Sequence, residues 1–151
     1  MGGQYELIHY TVFLNKCLQE GKLVIKDATA LNALVTYHDP CYLGRANNEY
    51  DSARSLIDAV SPQRVEMKRN RSFALCCGAG GAQMFKEAEK GDKEIFIERT
   101  EEAIATNAKV IATSCPFCMP MLTDGIKYKN KEEEMQNLDV AEIVARGLGL
   151  L

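Results

Sequence analysis

Lys109-Val110-Ile111-Ala112-Thr113-Ser114-Cys115-Pro116-Phe117-Cys118 joins a β-prone run to a C-x-x-C pair. Its apolar, β-branched residues predict a strand over 109–113. Pro116 suits the first turn of a helix, where a missing N–H costs nothing. Met119, Leu122 and Ile126 then recur at helical spacing and mark the buried stripe of that helix. A strand thus runs directly into a helix, with two thiols at the junction.

The same grammar repeats on either side. Residues 33–37 form a β-prone run that breaks at Asp39-Pro40. A helix follows, with Asp51 as its cap, Ala53, Leu56, Ile57 and Val60 inward, and Pro62 as its stop. Residues 64–67 read as a second strand, the polar stretch 68–72 as a turn, and residues 73–77 as a third strand. After the loop Gly78-Ala79-Gly80-Gly81, Asp92 is the expected cap of a helix that buries Ile95, Phe96, Ala103 and Ile104. The charged run 127–134 reads as a solvated loop or helix end. Asp139 and Glu142 have capping-box spacing and open a last helix over Ile143, Val144 and Leu148. At the N-terminus, Leu7, Leu14 and Leu18 predict an amphipathic helix over 5–20, ending near Gly21. Strands alternating with helices predict an α/β domain of three layers, a parallel sheet flanked by helices.

Composition sets the bounds. The chain has 151 residues, 46% hydrophobic and 26% charged, which is the balance of one globular domain. A net charge of −3 argues against a nucleic-acid-binding surface. No apolar run is long enough to span a membrane, and no basic-then-apolar leader is visible. Six cysteines in such a chain point to a reducing compartment, where thiols serve metals or redox chemistry more often than staples.

Five of the six fall in a pattern: Cys41, the vicinal pair Cys76 and Cys77, then Cys115 and Cys118. Each group follows a predicted strand. The C-terminal ends of parallel strands share one edge, where open α/β folds place their ligands, so all five are expected to converge there. Zinc takes four ligands, and so does a cubane iron–sulfur cluster. The adjacent pair suits a multi-iron group better than a single ion, since two neighbouring thiolates can bind different irons or bridge them. For both to face one site the chain must turn, and Gly78 permits it. Gly78, Gly80 and Gly81 allow backbone N–H groups to approach sulfur, and a helix N-terminus beside Cys115 and Cys118 favours thiolates. Zinc binding, metal-free dithiol exchange and buried structural thiols are the alternatives.

Tyr37-His38-Asp39-Pro40-Cys41-Tyr42-Leu43-Gly44-Arg45, Cys76-Cys77-Gly78-Ala79-Gly80-Gly81 and Cys115-Pro116-Phe117-Cys118 resemble the cysteine-rich CCG domain. That domain occurs in the B and D components of heterodisulfide reductase. It also occurs in iron–sulfur subunits of glycolate oxidase, anaerobic glycerol-3-phosphate dehydrogenase and lactate-utilisation systems. The resemblance spans roughly residues 33–148. It implies an iron–sulfur oxidoreductase domain, in which Cys41, Cys76, Cys77, Cys115 and Cys118 hold a non-cubane [4Fe–4S] cluster for electron transfer or disulfide reduction. It also implies partners: a second CCG domain, a ferredoxin-like domain or subunit, and a flavoprotein or a membrane quinone or haem subunit. On this reading residues 1–32 are a linker helix, Met1-Gly2 marks the entry to the C-terminal domain of a pair, and residues 33–151 are that domain. The protein is expected in the cytoplasm, reaching a membrane only through a partner. Zinc in place of the cluster is the alternative that the family also implies. Ala82 stands where many relatives continue the glycine run.

Other residues carry weaker signals. His38 is a candidate to donate to a cluster sulfur, shuttle a proton or order its loop. Cys17 reads as a core or interface thiol, and His9 as a surface or packing residue. Met119 and Met121 are core or pocket-lining, and Arg45 pairs with an acid or an anion. Gly78 to Gly81 is no dinucleotide loop, because the pattern fails at Gln83. The basic turn 68–71 reads as a solvated face.

Overall fold

A computed structural model describes residues 2–88 and 90–151. Met1, part of the expected linker start, lies outside the described residues. The elements in chain order are α1 (Tyr10–Gln19), β1 (Val35–Tyr37), α2 (Ser52–Val60), β2 (Arg64–Val65), α3 (Ile95–Ile104), β3 (Val110–Thr113), α4 (Cys118–Tyr128), β4 (Gln136–Asp139) and α5 (Val140–Gly147). The four strands form one parallel sheet in the order β2-β1-β3-β4.

Every residue of β1 and β3 is buried, as a strand covered on both faces requires. Alternation sorts them. Val35, Tyr37, Val110 and Ala112 point into a core completed by Leu56, Ile57 and Val60 of α2 and by Ile143 and Val144 of α5. Ile111 points the other way, into Met67, Ala103, Leu122, Ile126 and Met135, beneath α3 and α4. The result is the expected three-layer α/β architecture. From β1 the chain crosses α2 to β2 on one side; from β3 it crosses α4 to β4 on the other. The direction of winding therefore reverses between β1 and β3, and a crevice opens at their C-terminal ends. The Tyr37 and Ser114 hydroxyls, 2.8 Å apart, tie those two ends together.

Several local expectations need correction. Residues 73–77 are no strand. Arg71–Phe73 is a 3-10 turn, Phe73 is 83% exposed, and the backbone bonds elsewhere: Arg71 N–H donates to Asp39 at 2.8 Å, and Ala74 C=O accepts from Arg45 at 3.2 Å. The fourth strand is Gln136–Asp139, an edge strand whose sole buried residue is Leu138. Helix α1 begins at Tyr10 and not at Tyr5. His9 is its N-cap, accepting from Thr11 N–H, and Tyr5 and Leu7 are exposed. Within α1 and the segment after it, Tyr10, Leu14, Leu18, Leu23 and Ile25 pack on the first core.

Asp51 occupies the N-cap position of α2 without a capping bond; the Glu49 carboxylate accepts from the Asp51 and Ser52 N–H groups instead. Asp92 does not cap α3, which starts after Glu94 and buries Ile97, Arg99, Thr100 and Ala103, leaving Ile95 half exposed. Helix α4 starts at Cys118, so Pro116 precedes its first turn. The Asp139–Glu142 capping box forms as expected. Among the described residues no helix is long and apolar enough to cross a membrane.

Candidate metal centre

The crevice between β1 and β3 collects the cysteines. Cys41 lies in the turn after β1, and Cys115 lies between β3 and α4. Cys76 and Cys77 arrive on the long irregular segment after β2 and not directly from a strand end. Cys76, Cys77, Cys115 and Cys118 pack in one cluster with Ala79, Met84 and Met121. The vicinal pair faces one site because the chain leaves it through Gly78 at φ +91°, a conformation that L side chains rarely adopt. A Cβ there would also crowd the Phe96 nitrogen at 3.3 Å. A Cβ on Gly80 or Gly81, by contrast, would meet nothing within 4 Å.

The cluster has a floor and a rim. Cys77, Cys118 and His38 are buried, and a ring nitrogen of His38 and the two sulfurs all lie within 4.8 Å of one another. Cys76 and Cys115 are half-buried, and Cys41 is exposed at the rim, near enough for its charge to act on Cys76. All six cysteines are free thiols. A cleft of about 440 Å³ runs beside the rim, lined by Ile8, Val12, Tyr42, Leu43 and Cys115. A larger cleft of about 770 Å³ lies elsewhere, among Arg69, Glu98, Glu101 and Glu102. Arg69 there pairs with Glu98 and Glu102, Glu101 pairs with Lys129 from outside the lining, and no thiol lines it.

Hydrogen bonds divide the thiols by charge. Cys77 receives the Cys118 thiol, the Cys76 thiol, His38 and the Ala79 N–H, which together hold it far below the ordinary thiol value despite burial. Cys118 is held up as a proton donor by Cys115 and Cys77, and Cys76 by Cys77, each with burial adding to it. Gly78 N–H donates to the Cys76 sulfur at 3.3 Å. Cys115 is brought down to about 6 by the Cys118 thiol, then by the N–H groups of Cys118 and Phe117 at the start of α4. Alkylation of reduced, metal-free protein by iodoacetamide is therefore expected to be fast at Cys115 at pH 7, where it is mostly thiolate. The rate should fall as pH drops through about 6. Peptide mapping over pH 5–8 checks this, and a midpoint near 8.5, that of an ordinary thiol, would contradict it.

The loops that carry the thiols are braced by buried charge. The Asp39 carboxylate, 3% exposed, accepts from Arg54 Nη1 and Nη2 at 2.7 and 2.8 Å and from Arg71 N–H. Arg54, itself 3% exposed, also donates to Glu66 and to the Tyr50 carbonyl, and its guanidinium lies 5.0 Å from the Tyr37 ring centre. Asp39 thus locks the Cys41 turn to the segment leading to Cys76 and Cys77. Among the described residues Arg45 pairs with no acid; it donates to the Ala74 carbonyl and braces the same two segments. Met121 packs on the sulfurs, and Cys17 lies away from them on α1. The basic turn 68–71 is tied down: Arg69 bonds Glu98 and Glu102, and Arg71 pairs with Asp51. Sequence reasoning missed Arg54, Arg99 and Met84, because nothing in their spacing separates them from surface or core residues.

A family model described as a cysteine-rich domain, CCG, matches residues 35–123. The EtfAB:quinone oxidoreductase of Syntrophomonas wolfei is 40% identical over 154 residues, covering 98% of this chain and 21% of that protein. The probable iron–sulfur-binding oxidoreductase FadF of Bacillus subtilis is 41% identical over 148 residues, covering 97% and 21%. The D component of the dihydromethanophenazine:CoB–CoM heterodisulfide reductase of Methanosarcina barkeri is 36% identical over 149 residues, covering 97% and 35%. The chain therefore spans a fifth to a third of the relatives it matches.

Proposed function

Because the chain belongs to the CCG cysteine-rich domain family, we propose that it is the cluster-binding domain of an iron–sulfur oxidoreductase. Cys41, Cys76, Cys77, Cys115 and Cys118 are its ligands. The observation that carries this reading is the packing of four thiols from two separate segments into one cluster, with the fifth, from a third segment, on its rim. The donor set suits a multi-iron group. Five sulfurs exceed what one ion takes, the vicinal pair faces inward, and the space over Gly80 and Gly81 is open.

A cluster held there supplies one-electron acceptance and release. The chain's own residues prepare the site for it. Cys77 and Cys115 stand ready as thiolates, while Cys76 and Cys118 surrender their protons as metal binds. The N–H groups of Gly78, Phe117 and Cys118 donate to sulfur and offset the accumulated negative charge. The buried floor at Cys77 and Cys118 excludes water, and the exposed Cys41 leaves one side open to a disulfide-type substrate or an electron-transfer partner.

In the whole protein, residues 33–151 would act beside a second CCG domain and a ferredoxin-like domain or subunit. Electrons would pass to or from a flavoprotein or a membrane quinone or haem subunit. The setting is cytoplasmic, with any membrane contact made through that partner. The short coverage of the longer relatives supports this organisation.

A single zinc is the second reading, favoured by the compact trio of His38, Cys77 and Cys118. Metal and acid-labile sulfide analysis of anaerobically purified protein separates the two. The cluster reading expects iron and sulfide in near-equal amounts and a brown colour that bleaches on reduction. Colourless protein carrying zinc alone would overturn it.

A further inference from the structure

His38 is buried at the floor of the site, 1% exposed, and its two ring nitrogens face different neighbours. Nδ1 lies 3.0 Å from Arg99 Nε, and Arg99 is 0% exposed. A guanidinium only donates and keeps its proton in proteins, so Nδ1 must accept. With Nδ1 serving as an acceptor, the ring's proton sits on Nε2. Among the described residues Nε2 reaches no oxygen or nitrogen acceptor. The Cys77 and Cys118 sulfurs lie within 4.8 Å of a His38 ring nitrogen, and with Nδ1 taken up by Arg99, Nε2 is the nitrogen left to face them. An Nε2 that carries a proton has no lone pair to offer a metal.

Arg99 is itself held from behind. Its Nη1 donates to the Arg69 carbonyl and to Glu102, both at 2.7 Å, and Glu102 in turn accepts from Arg69 N–H at 2.6 Å. The guanidinium cannot swing away without giving up both of these bonds, so its Nε–H is held on His38. We propose that Arg99 is a positioning residue that fixes His38 in its Nε2–H tautomer, making His38 a hydrogen-bond donor to the Cys77 sulfur and not a metal ligand. The tautomer follows from the geometry alone. Its consequence rests on the proposed iron–sulfur function: a donor to a ligand sulfur withdraws charge from the iron and raises the reduction potential.

The chain has two histidines, which makes the test direct. In long-range proton–nitrogen NMR of the reduced, metal-free full chain, with the His9 signals, whose Nδ1 accepts from Thr11 N–H, assigned by their loss in His9→Asn, the His38 ring is expected to show a protonated Nε2 and a hydrogen-bonded, unprotonated Nδ1. In Arg99→Gln that ring should become a mixture of tautomers. A buried ring protonated at Nδ1 in the wild type, or unchanged in Arg99→Gln, overturns the proposal. On iron-loaded protein, a redox titration followed by electron paramagnetic resonance should give a lower potential in His38→Leu. The potential should return toward wild type in His38→Gln, whose amide offers both an acceptor and a donor. Equal potentials in all three overturn the donor role. If no iron binds, the functional reading fails, and the nuclear resonance experiment still decides the tautomer.

Discussion

Replacing Cys77 by alanine is expected to abolish stable iron binding, while replacing Cys17 leaves it unchanged. Cys77 is the centre of the sulfur network, receiving Cys118, Cys76, His38 and Ala79 N–H at once. Without it the pair at the floor of the site loses its shared acceptor, and Cys118 keeps only Cys115. Loss of a partner outside the ligand set commonly costs about 10- to 100-fold in metal affinity, so removal of the central ligand should exceed that. Iron content and visible absorbance of anaerobically reconstituted protein measure it. Equal losses in Cys77→Ala and Cys17→Ala would refute the ligand assignment, since Cys17 lies on α1, away from the cluster.

The second large effect concerns stability. Asp39→Ala leaves Arg54 buried with only the partly exposed Glu66 to balance it, and it frees the Arg71 N–H. Removing one partner of a buried ion pair typically costs about 3–5 kcal/mol, a large share of the roughly 5–15 kcal/mol that holds an ordinary domain together. Denaturant unfolding should place Asp39→Ala in that range. Asp39→Asn, which keeps one acceptor oxygen, should lose less. Metal retention should fall along with stability, because Asp39 joins the Cys41 turn to the segment carrying Cys76 and Cys77. A loss below about 1 kcal/mol, the size of one ordinary hydrogen bond, would mean that the arginine finds its partners elsewhere.

The fold was most legible where one residue pattern served one purpose. Val110 to Thr113 is β-branched or small and buried on both faces, so apolar content alone marks it as an inner strand. Asp139 and Glu142 announce a helix start through a local hydrogen-bond pattern that needs no tertiary partner. The converging cysteines were legible for a topological reason. Strand-to-helix junctions of a parallel sheet share one edge, and two of the three thiol groups lie on such junctions.

The misreadings have equally local causes. Phe73 to Cys77 carries β-prone residues, but Arg45 takes the Ala74 carbonyl and Asp39 takes the Arg71 N–H just before the segment, contacts that propensity does not register. Gln136-Asn137-Leu138-Asp139 is polar because it forms a sheet edge, so hydrophobic pattern passes over it. Arg54 and Arg99 look like the solvent faces of their helices. Arg54 is buried because it meets Asp39 and Glu66 from other segments; Arg99 is buried with Glu102 one turn on in its own helix and with His38 and the Arg69 carbonyl brought from afar. Only the folded chain shows those meetings, and they set the positions of Cys41, Cys77 and His38.

The most direct measurement is an anomalous-difference map at the iron edge from anaerobically grown crystals. The account predicts several iron peaks in one group bonded by the sulfurs of Cys41, Cys76, Cys77, Cys115 and Cys118, with none at Cys17 and none bonded by His38. A solitary metal peak held by His38, Cys77 and Cys118, with Cys41 and Cys76 left out, would contradict it.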